Sequence, residues 1–322
     1  MGGPFAGTPP RVLLPELDIR YPRLHVTPLL VTGLTGFVGS YLAGQEGVFD
    51  LCVDGRLADL RVASEVEAAV AAVQPQAVIH LAAQSSVGIS LEDPRQTFDV
   101  NFGGTLNLLG ALRANNFRGR MLYVGSGDVY GSVAEGRLPV AEDTPLRPRN
   151  PYAVSKVAAE ALCYQWSQAG LFEIVMARPF NHIGPRQNTN FAVSDFARQL
   201  VACRKGKAPP RLRVGDIDIT RDFTDVRDIV RAYLALLGTG RNGEAYNVCS
   251  GVERSLREIV EALSKACGVE VEIEVDADRL RPSEQRRMCG SPAKLRADTQ
   301  WQPAVPFDRT LRDIIAYWEE IA

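Results

Sequence analysis

The sequence predicts an α/β protein: a doubly wound parallel sheet with a smaller C-terminal α+β lobe. Three observations predict it. Short apolar runs alternate with helical patterns through the first half of the 322 residues, as parallel sheets wrapped on both faces require. The first run, Leu29-Leu30-Val31, ends in Thr32-Gly33, where a strand feeds a glycine turn. After Arg178 the loops lengthen, prolines multiply, and short strands mix with helices.

Each element follows from local pattern. Val48 to Val53 reads as the second strand, closing at Asp54. Ser64 and Glu67 have capping-box spacing, and Val66, Ala69, Val70 and Val73 form a buried helical stripe. Ala77 to Leu81 is another buried strand. Arg95 to Arg113 reads as one long helix carrying Phe98, Phe102, Leu106 and Leu109. Gly103-Gly104 within it costs roughly 1 kcal/mol per glycine relative to alanine, so a close approach is expected there, to another helix or to a cofactor. Met121 to Val124 is a strand ending at Gly125-Ser126. Asn150 and Pro151 read as the N-cap and first residue of a helix through Tyr152 to about Gln168. Phe172 to Ala177 is the next strand. The smaller lobe holds strands at Arg211 to Val214 and Val271 to Val275, with helices at Val193 to Arg204, Leu256 to Cys267 and Leu311 to Ile321. Ala245 to Val248 is a buried strand able to return to the main sheet.

Bulk properties remove several classes of function. A net charge of −2 argues against a general nucleic-acid binder. No apolar stretch approaches the ~18 residues of a membrane span. The six cysteines form no CxxC and no zinc-ligand spacing, so no metal is expected. They read as small buried hydrophobes in a reducing compartment, which points to the cytoplasm. Residues 1–27, rich in proline and glycine, lack the apolar run of a secretory signal and read as a flexible leader or a surface extension.

Two constellations carry chemistry. Gly33, Gly36 and Gly39, with Thr35, Phe37 and Val38 between them, have GxxGxxG spacing. Unpaired N–H groups where such a turn opens a helix attract a pyrophosphate, and glycine lets the backbone approach it. Asp54 lies where an acid can hydrogen-bond the adenosine ribose, while Arg56 suits a 2′-phosphate, so NAD and NADP both stay open. The second constellation is Tyr152 and Lys156, four residues apart and hence on one helix face. A cation one turn from a phenol favours phenolate and lowers the phenol pKa, which suits proton transfer near neutrality. His80, at a strand end beside alanines, reads as a residue that orders a loop.

Further motifs extend the pattern. Asp59-Leu60, His80-Leu81-Ala82-Ala83, Asn101 with Gly104-Thr105 and Asn107, and Val129-Tyr130-Gly131 after Ser126 together resemble the extended short-chain dehydrogenase/reductase family, from about residue 29 onward. The resemblance implies a dinucleotide-binding Rossmann domain over residues 28–178 and about 223–250, with a nucleotide-sugar substrate lobe over about 179–222 and 251–322. It implies NADPH or NADH as cofactor, with Asp59 and Leu60 near the adenine and Leu81, Ala82 and Ala83 beside the cofactor. Ser126, Tyr152 and Lys156 would form the catalytic set. Tyr152 would donate a proton, Ser126 would hold the reacting oxygen, and Lys156 would keep the phenol acidic and bond the nicotinamide ribose. Asp128 stands where related dehydratases carry a glutamate base. It either positions the hexose or is a structural acid. The helices from Arg95 and from Tyr152 would pair with their copies in a homodimer.

The substrate segments narrow the ligand class by the same resemblance. Arg178 to Pro185 is similar to a segment in which an asparagine, here Asn181, meets a diphosphate. Arg221 in Arg221-Asp222-Phe223 would bind phosphate. Arg281-Pro282-Ser283-Glu284 is similar to a segment of enzymes acting on GDP-linked deoxyhexoses, with Arg281 on diphosphate and Glu284 on ribose hydroxyls. Arg198 would face the base end, and Ser85 joins the substrate contacts. The implied substrate is a GDP-linked 4-keto-6-deoxyhexose reduced at C4, giving GDP-D-rhamnose or its talose epimer. Only Gly55-Arg56-Leu57-Ala58 separates Asp54 from Asp59, where related dehydratases carry a long segment. With Asp128 in place of glutamate, this favours reduction over 4,6-dehydration; Arg281 to Glu284 favours it over 4-epimerisation, and intact Ser126, Tyr152 and Lys156 favour it over an inert nucleotide-binding protein.

Overall fold

The computed structural model describes residues 27–279 and 285–321. Along the chain come β1 (Leu29–Thr32), β2 (Val48–Phe49), a hairpin of β3 (Cys52–Val53) and β4 (Arg56–Leu57), and helix α1 (Ala63–Val73). Next are β5 (Ala77–His80), α2 (Val87–Glu92), α3 (Pro94–Phe98), α4 (Gly104–Ala114), β6 (Arg120–Val124), α5 (Pro151–Gln168), β7 (Glu173–Pro179) and β8 (Asn181–Ile183). The remainder comprises α6 (Ala192–Arg204), β9 (Arg211–Val214), β10 (Thr220–Asp225), α7 (Val226–Thr239), β11 (Ala245–Val248) and β12 (Glu253–Ser255). It closes with α8 (Leu256–Cys267), β13 (Glu272–Val275), β14 (Arg287–Met288), α9 (Ala293–Thr299) and α10 (Phe307–Ile321).

Six parallel strands form the central sheet in the order β11-β7-β6-β5-β1-β2. Alternate residues face opposite layers. Leu29, Val31, Ile79 and Leu122 pack on Ile229, Tyr233 and Leu236 of α7 and on Trp301. Leu30, Val78 and Met121 pack on Val66 and Val70 of α1, Leu108 and Leu112 of α4, and Ala159 of α5. Burial on both faces explains the near-continuous apolar runs. Each such leucine contributes about 1.5–3 kcal/mol. β1 is followed by β2 on one side and by β5 on the other. That reversal leaves a crevice at the carboxyl edge, where ligands of open α/β sheets bind.

A second core joins α6, α8 and α10 through Phe196, Leu200, Ile259, Leu263, Leu311 and Ile314, with Leu212 and Val214 of β9. β11 does return to the main sheet, beside β7. Among the described residues, no helix is long and apolar enough to cross a membrane.

Four sequence expectations need correction. The second strand is not continuous: β2 ends at Phe49, and Asp54 sits with Gly55 in the β3–β4 hairpin turn, both at positive φ. An Asp-Gly pair favours such a hairpin turn. No long helix follows the glycine turn, only one 3₁₀ turn at Gly39–Tyr41, because Gly44 and Gly47 at positive φ return the chain to β2. Ser64 and Glu67 form no capping box: α1 starts at Ala63 with Val62 as an uncapped N-cap. The long helix from Arg95 contains a π turn at Asp99–Gly103. There Gly104 lies against Leu60, whose Cβ would be 2.8 Å from a Cβ on the glycine. The close approach is therefore to the loop before α1. The expected leader and the candidates Arg281 and Glu284 fall outside the described residues, apart from Thr27 at the leader's end.

Candidate functional site

The glycine turn is shaped by its own backbone. Gly33 has φ +82°, and a Cβ there would sit 3.0 Å from the Ala82 nitrogen. A Cβ on Gly39 would lie 2.2 Å from the Gly33 oxygen and 2.6 Å from the Leu34 Cα. Thr35 and Gly36 are exposed, while Phe37 and Val38 are half-buried. This turn suits close approach of a dinucleotide pyrophosphate, because side chains are barred from it. Without a long helix behind it, the turn offers local N–H groups and little macrodipole.

Behind the turn, a chain of hydrogen bonds ties two strand ends together. Ala82 N–H donates to Thr32 Oγ1 at 3.2 Å, and Thr32 Oγ1 meets His80 Nδ1 at 2.7 Å. His80 Nε2 lies 3.1 Å from Thr105 Oγ1, which donates to the Asn101 carbonyl at 2.6 Å. This order needs a neutral imidazole, and burial pushes His80 down to about 3. His80 thus orders a loop. Asn101 extends the brace, donating to Gln84 O and Ser155 Oγ and accepting from Gln84 N–H. Leu81, Ala82 and Ala83 are held half-buried at the carboxyl edge, and Ser85 just beyond is exposed.

The acid at the end of β2 is Asp50, which the sequence reading missed. Burial pushes its carboxyl up, against hydrogen bonds from the backbone of Leu51, Gly33 and Leu34. It therefore lies on the glycine turn, where the ribose acid was assigned to Asp54. Nearby cations are already engaged. Arg56 forks onto Glu65 at 2.8 and 2.6 Å, and Arg61 binds Asp59 at 2.6 Å. Asp59 N–H also donates to Glu65, and Leu60 O accepts from Asn107.

Tyr152 and Lys156 share the buried face of α5, whose N-terminus is capped as expected: Asn150 Oδ1 accepts from Ala153 N–H at 2.7 Å. Ser126 is the N-cap of a 3₁₀ turn, Gly127–Tyr130, directly after β6; its Oγ accepts from Asp128 N–H at 3.2 Å, and its side chain lies near enough to the Tyr152 phenol to act on its pKa. The three candidates therefore meet at the carboxyl edge. One expectation fails here. Burial, with the charge of Asp128, pushes the Tyr152 phenol up, although the Ser126 side chain works against this. Lys156 does not reverse this rise. Its Nζ donates to Val124 O at 2.8 Å, lies 6.0 Å from the Tyr152 ring centroid, and is itself pushed down by burial to about 8. Asp128 is exposed, and its charge reaches the phenol.

The substrate candidates converge in part. β8 pairs with β10, Asn181 opposite Phe223, so exposed Asn181 and half-buried Arg221 lie on adjoining strands. Arg221 Nη1 donates to the Thr220 and Arg286 carbonyls. Arg198 instead binds Asp195 at 2.7 Å, a carboxylate shared with Arg279. The glycine turn and the segment after β8 are also joined. The Phe37 and His182 rings stack 5.9 Å apart, and Tyr41 OH donates to Pro185 O at 2.8 Å. Among the described residues, no cluster of three or more His, Cys, Asp or Glu could hold a metal ion.

Comparison with known proteins agrees with this geometry. A family model described as GDP-mannose 4,6 dehydratase matches residues 54–314. A GDP-6-deoxy-D-mannose reductase of Pseudomonas aeruginosa is 47% identical over 304 residues, covering 90% of this chain and 97% of the relative. A UDP-glucose 4-epimerase of Mycolicibacterium smegmatis is 32% identical, covering 86% and 93%. The solved structure of RMD from Pseudomonas aeruginosa complexed with NADPH superposes with a TM-score of 0.85 at 46% identity, over 91% of this chain and 99% of that one. The chain belongs to the extended short-chain dehydrogenase/reductase family, in the group described by the GDP-mannose 4,6 dehydratase model.

Proposed function

We propose that this protein is an NAD(P)H-dependent oxidoreductase that reduces the C4 ketone of GDP-4-dehydro-6-deoxy-D-mannose to GDP-D-rhamnose. The observation that carries the reading is the convergence at the carboxyl edge of the sheet of Ser126, directly after β6, with Tyr152 and Lys156 on the buried face of α5, Lys156 donating to Val124 O at 2.8 Å. The identity with the GDP-6-deoxy-D-mannose reductase, which spans nearly the whole chain, supports the substrate class.

The cofactor is NADPH or NADH, which supplies the hydride when bound. Gly33, Gly36 and Gly39 would take its pyrophosphate, and Asp50 its adenosine ribose. An acid at that position favours a free 2′-hydroxyl over a 2′-phosphate. With Arg56 and Arg61 already paired, the expected preference is NADH over NADPH, unlike the NADPH complex of the neighbour.

As the carbonyl carbon is reduced, charge grows on the ketone oxygen. Ser126 and Tyr152 hydrogen-bond that oxygen, and Tyr152 delivers the proton. Its raised pKa keeps the phenol protonated near neutrality, as a donor requires. Lys156, held on Val124 O, presents an ammonium behind the phenol. Asn181, Arg221, Arg281, Glu284, Ser85 and Arg198 are the candidates for the nucleotide sugar, with Arg198 committed to Asp195 in this structure.

A second reading, 4,6-dehydration of GDP-mannose, is favoured by one observation. The Asp128 charge acts on the phenol, so a carboxylate is available at the site. Incubation with GDP-mannose and oxidised cofactor separates the two, since only a dehydratase makes the 4-keto sugar.

The exposed side chains of Leu106 on α4 and Val154 and Tyr164 on α5 support a homodimer through these helices. All six cysteines are unpaired, which supports a cytoplasmic setting.

A further inference from the structure

A buried polar network joins the two halves of the proposed proton-donating site, and no part of it touches the crevice chemistry directly. Glu160 follows Tyr152 and Lys156 at the next i+4 step, so all three lie along one face of α5. Its carboxylate accepts a fork from Arg178 of β7: Nε to Oε2 at 3.0 Å and Nη2 to Oε1 at 2.6 Å. Both side chains are over nine-tenths buried. Arg178 Nη1 also donates to the Tyr130 phenol oxygen at 2.7 Å and to the Glu142 carbonyl at 3.0 Å. The Tyr130 hydroxyl donates to Asn247 Oδ1 of β11 at 2.6 Å, and Asn247 Nδ2 donates to Val140 O. Tyr130 is the last residue of the 3₁₀ turn that Ser126 caps.

The guanidinium of Arg178 thus grips both supports at once. One edge holds the helix of Tyr152 and Lys156 through Glu160. The other holds the turn of Ser126 through Tyr130. The contacts around it are tight. A Cβ on Gly125 would lie 3.0 Å from Ala177 O and 3.5 Å from Glu160 Oε2, and one on Gly127 would lie 3.1 Å from the Phe180 ring. All three guanidinium nitrogens of Arg178 donate to acceptors in this network, and low local dielectric strengthens those bonds.

We infer that Arg178, Glu160 and Tyr130 are positioning residues that set the separation of the Ser126 hydroxyl from the Tyr152 phenol. The inference rests on the reading of Ser126 and Tyr152 as the donors to the ketone oxygen. A planar fork fixes both distance and angle, which a lysine cannot. Misplacement of a reacting group by about 1 Å can cost on the order of a hundredfold in rate.

Tyr130→Phe is the informative variant, because it removes one hydroxyl and leaves the buried ion pair whole. Turnover of the GDP-linked keto sugar should fall about tenfold while KM for that sugar stays within about twofold. Arg178→Lys, which keeps the charge and loses the fork, should fall further if it folds. The decisive arm crosses Tyr130→Phe with Tyr152→Phe. Once the phenol is gone there is nothing left to position, so Tyr130→Phe should lower the residual rate by less than about twofold in that background. Full additivity, or a folded Tyr130→Phe with unchanged turnover, overturns the inference. Failure of the catalytic reading looks different: Tyr152→Phe alone would then retain turnover.

Discussion

Replacing Lys156 by methionine should stabilise the fold near neutral pH while ending activity. Burial pushes the Lys156 ammonium down from 10.5 to about 8. At about 1.4 kcal/mol per pH unit, keeping it charged in the folded protein costs about 3 kcal/mol. Its bond to Val124 O, at 2.8 Å, returns about 1–2 kcal/mol and would be lost. The net gain for Lys156→Met is therefore about 1–2 kcal/mol at pH 7. The pH dependence carries the sign. The folded pKa lies below the unfolded one, so between about pH 8 and 10.5 the unfolded chain binds more protons and wild-type stability rises with pH. Below that window the penalty is fully present; above it the penalty has gone. Urea unfolding of both proteins at about pH 7 and about pH 10 reads the effect. The variant should have the higher midpoint at the lower pH and lose its advantage at the higher one. A variant that is less stable at neutral pH, with the same pH slope as wild type, refutes the reasoning.

Four further outcomes are expected. Tyr152→Phe should lose at least about a hundredfold in kcat with KM for the nucleotide sugar nearly unchanged, measured by steady-state kinetics. Gly39→Ala must displace the Gly33 carbonyl, so KM for the cofactor should rise and stability fall by about 1–3 kcal/mol. Gly238→Ala, with nothing within 4 Å of the new Cβ, is the control and should not lower the thermal midpoint. Asp50→Asn should shift the ratio of kcat/KM toward NADPH by about tenfold. An unchanged ratio would remove Asp50 from the ribose site.

Much of the architecture was legible because a sheet buried on both faces writes itself as apolar runs. Met121 to Val124 and Ala245 to Val248 are cases in point. The Tyr152 helix was legible from its N-cap, since Asn150 and Pro151 act locally. Errors arose where tertiary neighbours decide. At the break in the second strand sits Asp50, whose carboxyl is influenced by the backbone of Gly33 and Leu34, a neighbourhood no local pattern contains. Ser64 and Glu67 had the right spacing, yet Glu65 beside them is engaged by Arg56 and the Asp59 N–H. Ser255 and Glu258 form the capping box instead. For Lys156, helical spacing placed the cation near the phenol and could not reveal that Val124 O would claim it. Glu160 carried a signal that went unused: an acid continuing the Tyr152–Lys156 row on a face that is otherwise buried.

The central claim is tested most directly by following nicotinamide absorbance with purified protein and GDP-4-dehydro-6-deoxy-D-mannose, using NADH and NADPH in turn. NMR of the product sugar then identifies what is formed. The account predicts substrate-dependent oxidation of the cofactor, faster with NADH, and GDP-D-rhamnose as product. Flat absorbance with both cofactors, or formation of a 4-keto sugar from GDP-mannose alone, would contradict it.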